Sequence, residues 1–191
     1  MCTLFFEAKK LFIKYNGSYF QMDRDGVYTT YEKFNVPKEI EAKWKNELLG
    51  NVMERLQKET KKDKINDNLI QYCSMCSNWR IFEAFEALAF YIINNIKVLD
   101  SFTLYIGVDG IFDILKEFKK MNTHQNECFS IAEKVFYAFR DSIKDNISVS
   151  DDYAVAGRIP DFLSYEKLQH RFYTSIKEWE LVLHNNTCNK E

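Results

Sequence analysis

Leu11-Phe12-Ile13-Lys14-Tyr15-Asn16-Gly17-Ser18-Tyr19-Phe20-Gln21-Met22 is the stretch on which the fold class turns. Two β-prone runs flank Asn-Gly, a pair that suits both central positions of a type I′ turn because each residue tolerates positive φ. A second reversal at Asp23-Arg24-Asp25-Gly26 leads into Val27-Tyr28-Thr29-Thr30-Tyr31, rich in β-branched and aromatic residues. The spacing predicts a three-stranded antiparallel meander over 10–33. Phe20 and Met22 then share one face of the middle strand, and Tyr19 and Gln21 share the other. A sheet this small is not stable alone, so one face is expected to rest on helices while Tyr19, Arg24 and Tyr28 point outward.

Beyond Pro37 the period of the apolar residues changes. Proline suits the first position of a helix, and Glu39 and Glu41 complement the positive end of the dipole. Ile40, Trp44, Leu48, Val52 and Leu56 recur every four residues, one stripe of a long helix that Gly50-Asn51 could kink. A shorter helix follows Asn66, with Ser77-Asn78 as the cap of the next. That next helix, about 79–98, is apolar on several sides and is expected to be central and mostly buried. Residues 101–108 are ambiguous between helix and strand, and Asp109 resembles an N-cap for Ile111–Met121. A stripe of Cys128, Ala132, Val135, Phe136, Phe139 and Ile143 marks a helix over 123–146. After a loop at about 147–159, Pro160-Asp161 opens a last helix with Tyr165, Leu168, Phe172, Ile176, Trp179 and Leu183 on its core face.

The expected fold is therefore mainly α (α+β), a small N-terminal β-meander packed on a bundle or stack of about six helices. A chain of 191 residues with 16 Phe, 11 Tyr and 3 Trp can bury one substantial core, and no Pro/Gly-rich linker divides it. The organisation read from this is a single domain over 1–191, with the meander at 10–33 and a helical body at 37–185.

A net charge of −2 gives no global field for gathering nucleic acid or an anionic membrane. The basic run Lys58-Glu59-Thr60-Lys61-Lys62-Asp63-Lys64 is diluted by its own acids, and a helix C-terminus accounts for its lysines, so nucleic acid is disfavoured. The longest apolar run, Ala87–Ile93, is far short of a membrane span. Leu4-Phe5-Phe6 is followed at once by Glu7 and does not read as an export signal. Five cysteines, Cys2, Cys73, Cys76, Cys128 and Cys188, are an odd set without the spacing of a disulfide framework, which favours a reducing cytoplasm.

The sharpest chemical candidate is Cys73-Ser74-Met75-Cys76, joined some fifty residues later by His124 and Cys128. Together they could supply four ligands to a tetrahedral zinc ion. The weightier reading is core packing, since Cys73 and Cys76 share the helical face of Leu69 and free cysteine is commonly a small buried hydrophobe. Glu83 and Glu86, and Asp109 and Asp113, each lie one turn apart. Without Glu-x-x-His they read as solvated stripes or dipole partners and not as a di-metal set. No cofactor and no catalytic residue are assigned, and the chain reads more as a binding protein than as an enzyme. The 145–158 loop combines Asp151, Asp152 and Arg158 with exposed apolar residues, a mixture suited to a partner's basic patch.

In format, a small domain with a meander, a helical body and many aromatics, the chain resembles bacterial immunity or antitoxin-type proteins, which neutralise a partner by binding it. The resemblance covers no motif and transfers no residue. It implies a non-enzymatic cytoplasmic interaction module whose partner is another protein, with a homodimer possible; the contacts expected from the residues themselves are the outer sheet face (Tyr19, Arg24, Tyr28), the 145–158 loop (Asp151, Asp152, Arg158), or both. The alternative is a metal-binding protein or zinc-dependent enzyme using Cys73, Cys76, Cys128 and His124.

Overall fold

In the computed structural model, which describes residues 4–121, 123–144, 147–157 and 164–187, every regular element is a helix. Among the described residues there is no strand, so the expected meander and the α+β class are corrected to an all-helical fold. The chain divides into two compact units between Glu54 and Arg55.

The first unit holds α1 (Leu4–Lys14), α2 (Tyr19–Arg24), α3 (Tyr28–Glu32) and most of α4 (Lys38–Lys58). The Asn-Gly pair has the backbone conformation its residue types predict but forms no hairpin. Asn16 and Gly17 do take positive φ, +48° and +64°. They use it to close α1: the Gly17 N–H donates to Phe12 C=O at 2.8 Å and the Asn16 N–H to Ile13 C=O at 3.0 Å. That is the paired bonding of a Schellman cap. Gly26 (φ +70°) closes α2 in the same way, with Val27 N–H on Met22 C=O and Gly26 N–H on Asp23 C=O. Phe20 and Met22 then decide the period. They would share a face in a strand, yet Met22 is fully buried and Phe20 is 78% exposed, which two positions 200° apart on a helix allow.

Ala8 and Phe12 of α1 and Tyr15 just beyond its end, spaced by four and three, are buried together with Met22, Tyr31, Trp44 and Leu48. Phe12 is the hub, its ring 6.1 Å from Tyr31 and 5.6 Å from Trp44. The stripe expected on α4 is present, and Gly50-Asn51 lies within its unbroken span.

The second unit holds α5 (Lys62–Trp79), α6 (Phe82–Asn94), α7 (Ser101–Met121), α8 (Gln125–Ser142), α9 (Asp152–Val155) and α10 (Tyr165–Thr187). The centre is α7, packed by α5, α6, α8 and α10, and not the 79–98 segment. The ambiguous 101–108 run is its first two turns. Asp100, and not Asp109, caps it: its carboxylate accepts the N–H groups of Phe102 at 3.0 Å and Thr103 at 3.1 Å. The break before α6 is made by Arg80 in the left-handed region (φ +55°) and not by Ser77-Asn78, which lie inside α5. Phe112 stacks on Trp179 at 5.0 Å, and Phe136, Phe139 and Phe172 surround the pair. Leu168, Phe172, Ile176 and Trp179 of α10 are buried as their spacing predicts, while Pro160 and Asp161 lie outside the described residues.

Candidate functional site

Two surface depressions of the second unit bear on function. The first lies between α5 and α7, which approach closely because α7 carries Gly107 and Gly110. A Cβ on Gly110 would overlap Cys73 Sγ and come to 3.0 Å from Cys73 Cβ, and one on Gly107 would sit 3.0 Å from Ile92 Cδ1. Beside this contact a groove of about 410 Å³ is lined by Cys73, Ser74, Ser77, Asn78, Asp109 and Asp113, with Ile70 and Ile106 as apolar walls.

The electrostatics of this groove work against chemistry. Burial, with the charges of Asp113 and Asp109 beside it, pushes the Cys73 thiol up to about 12, so it stays protonated and is a poor nucleophile. Burial raises Cys76 further still. Asp109 is raised above the usual carboxylate range by burial and then by Asp113, whereas Asp113 is engaged with Lys116 at 2.8 Å.

The four residues of the zinc hypothesis are dispersed. Cys76 and Cys128 are fully buried apolar-core members, and burial pushes Cys128 to about 12. His124 is exposed at the start of α8, its ring stacked on Phe82 at 4.4 Å. Among the described residues no group of three or more His, Cys, Asp or Glu is placed to hold a metal ion. Cys2 and Cys188 lie outside them.

Of the residues read from sequence as a protein-binding face, Tyr19 and Asp152 make bonds within the fold. Tyr19 and Tyr31 donate their hydroxyls to the two oxygens of Glu41, at 2.6 and 2.5 Å, which clasps α2 and α3 to α4. Burial and then these bonds raise both phenols well above their ordinary range. Tyr28 is half-buried with its ring 5.6 Å from Tyr19, and Arg24 is exposed and bonds its neighbour Asp25. In the second unit Asp152 accepts the Lys62 N–H at 2.7 Å, so it caps α5 from ninety residues away. Asp151 is exposed, and Arg158 lies outside the described residues.

The second depression is apolar and lies between α6 and α8. Ala87, Ala89, Phe90 and Ile93 of α6 and Ile131 of α8 line about 440 Å³, with Glu86 at one wall and Lys134 at the other. Phe90 is 70% exposed and Ile93 36%. Glu86 and Lys134 are exposed, and neither joins an ion pair or hydrogen bond among the described residues.

Sequence reasoning missed this face, although a signal for it existed. Glu83, Glu86, Phe90 and Ile93 are spaced by three, four and three, so the two glutamates that must be solvated share their side of α6 with Phe90 and Ile93. Apolarity on several sides does not by itself mean burial, and the charged pair marks this side as facing water. No protein-family model matches the sequence, and neither a curated protein nor a solved structure matches it.

No helix among the described residues is long and apolar enough to cross a membrane.

Proposed function

We propose that the chain is a non-enzymatic cytoplasmic protein-interaction module whose contact face is the groove between α6 and α8. One observation carries this: Phe90 stands 70% exposed beside an apolar groove of about 440 Å³ that Ile93 and Ile131 extend. A phenyl ring held in water forfeits the stabilisation its burial would give, on the order of 2 kcal/mol, and rings of this kind at the edge of a pocket are what interfaces bury at their centres. The protonated thiols and the dispersed metal candidates give chemistry less support than binding. Cys73, Cys76 and Cys128, the free cysteines among the described residues, are compatible with a reducing compartment. Inhibition of a partner by binding, as in the immunity-type format, is a mode of action that needs no further machinery; the meander that formed part of that likeness is gone.

The test is a photo-cross-linking amino acid placed at Phe90 in living cells, with the exposed Glu133 of α8 as control position. A discrete protein adduct is expected at 90 and not at 133. Equal or absent cross-linking at both positions would remove the groove as a contact face.

A further inference from the structure

We propose that the groove between α5 and α7 binds a small organic cation, a primary ammonium carried on a short alkyl stem. This goes beyond the contact face between α6 and α8 and does not rest on it.

The groove is polar at one end and apolar at the other. A Cβ on Gly107 would stand 3.8 Å from Leu69 Cδ1 and one on Gly110 would overlap Cys73 Sγ, so α5 and α7 run in the same direction. Ile70 and Ile106 therefore wall one end, Ser77 and Asp113 stand at the other, and Asp109 lies between. No Lys, Arg or His lines the groove, and both charges in it are carboxylates. These repel an anion, and a neutral ligand leaves them without a counter-charge. An alkylammonium lays its stem on the isoleucines and brings three N–H donors to the carboxylates and the Ser77 hydroxyl. The volume of about 410 Å³ is within the range of small-ligand clefts.

The state of Asp109 is what points to a ligand. It is half-buried, and no hydrogen bond or ion pair among the described residues engages its carboxylate. Burial and then the charge of Asp113 raise it above the usual carboxylate range, outweighing the opposing charges of Lys116 and Arg171. The free protein thus carries a charge that its own fold disfavours, and a cationic donor supplies the missing partner. Asp113 takes an ammonium already, from Lys116 at 2.8 Å, but both of those side chains are more than half exposed. Such a pair contributes little and exchanges readily for another cation. Both walls are helices held together at the Gly110–Cys73 contact, so the acceptors are in place before a ligand arrives.

The experiment is a titration of the isotope-labelled full chain with n-hexylammonium chloride, followed by amide NMR shifts, with hexanoate and hexanol in parallel. Hexylammonium should give saturable shifts clustered at the amides of Ser74, Ser77, Gly110 and Asp113, with a Kd in the millimolar range or below. Hexanoate and hexanol should give none there. Asp109→Asn should weaken hexylammonium binding by on the order of tenfold or more, and Asp141→Asn, on the surface of α8, should leave it unchanged. Asparagine keeps the shape and removes the disfavoured charge, so Asp109→Asn should be at least as stable as the wild type, and lost binding is then not lost folding. The proposal is overturned if hexylammonium gives no saturable shift by about 10 mM, if hexanol binds as well, or if Asp109→Asn binds as the wild type does. Cross-linking at Phe90 tests a different groove, so neither result decides the other.

Discussion

At the scale of single residues, the N-terminal unit is decided by backbone positions that only a few side chains tolerate. Asn16, Gly26 and Asn35 occupy the left-handed region, where a Cβ crowds the following carbonyl. Gly26 gives a clean measurement of that effect. A Cβ built there meets nothing within 4 Å, so Gly26→Ala changes the backbone term without a packing term. The variant should lose about 1–2 kcal/mol in urea unfolding, with an unchanged m-value. A loss near zero would mean that α2 ends differently from the Schellman geometry described above. The residue types of Asn16-Gly17 are legible as positive-φ sites, whereas nothing in the sequence singles out Asn35. What could not be read was whether they reverse a strand or stop a helix, because both structures ask the same dihedral of the same residue.

At the scale of elements, the helices that sequence periodicity located best are those with one apolar stripe. The α4, α8 and α10 stripes are buried where spacing places them, apart from marginal residues such as Ile40 and Ile143 that are half-buried. Elements apolar on more than one side were harder to rank. Both α6 and α7 are of this kind, and α7 became the centre because Gly107 and Gly110 let α5 and α6 lie against its backbone. A larger residue at either position would push a neighbour away. Gly110→Ala should therefore cost about 1–3 kcal/mol by overpacking, although alanine favours a helix interior over glycine by up to about 1 kcal/mol. Removing Cys73 Sγ with Cys73→Ala should recover part of this loss in a double-mutant cycle, the remainder coming from the 3.0 Å approach to Cys73 Cβ. Additive losses would show that the two helices do not meet at this pair. The same competition leaves α6 at the periphery with Phe90 and Ile93 uncovered. The candidate contact face is a product of which helix won the centre.

At the scale of the molecule, segments far apart in sequence complete each other. The 147–157 segment ties together two helix starts of the second unit. Ser148 exchanges hydrogen bonds with Ser101, the Tyr153 hydroxyl lies 2.7 Å from Thr103 Oγ1, and Asp152 accepts from Lys62 N–H. The bond from Lys62, with the nearby Ser150 hydroxyl and Lys61 and Lys62 charges assisting, holds the Asp152 carboxyl below its usual range against the opposing effect of burial. The folded state therefore releases this proton more readily than the unfolded chain. Its contribution to stability is full above the unfolded carboxylate range and is lost as pH falls through the lower folded value. The protection of the Lys62 amide, its exchange rate relative to the intrinsic rate at the same pH, should accordingly fall on acidification, and Asp152→Asn should remove that pH dependence. An amide whose protection in the wild type does not change with pH would contradict the cap.

The amino-acid sequence by itself determined where helices with a single apolar stripe run, that Cys76 and Cys128 are core residues, and that Asn16-Gly17 takes positive φ. These are local properties, set by spacing and by each side chain's own sterics. Only the tertiary structure decided that Asn16-Gly17 ends a helix, that α7 and not α6 takes the centre of the second unit, and that Asp152 caps α5. Each of those depends on a competition between distant segments for the same buried space or the same backbone donor. Phe90 remains exposed because α7 took the centre, and that outcome places an apolar groove between Glu86 and Lys134 on the surface.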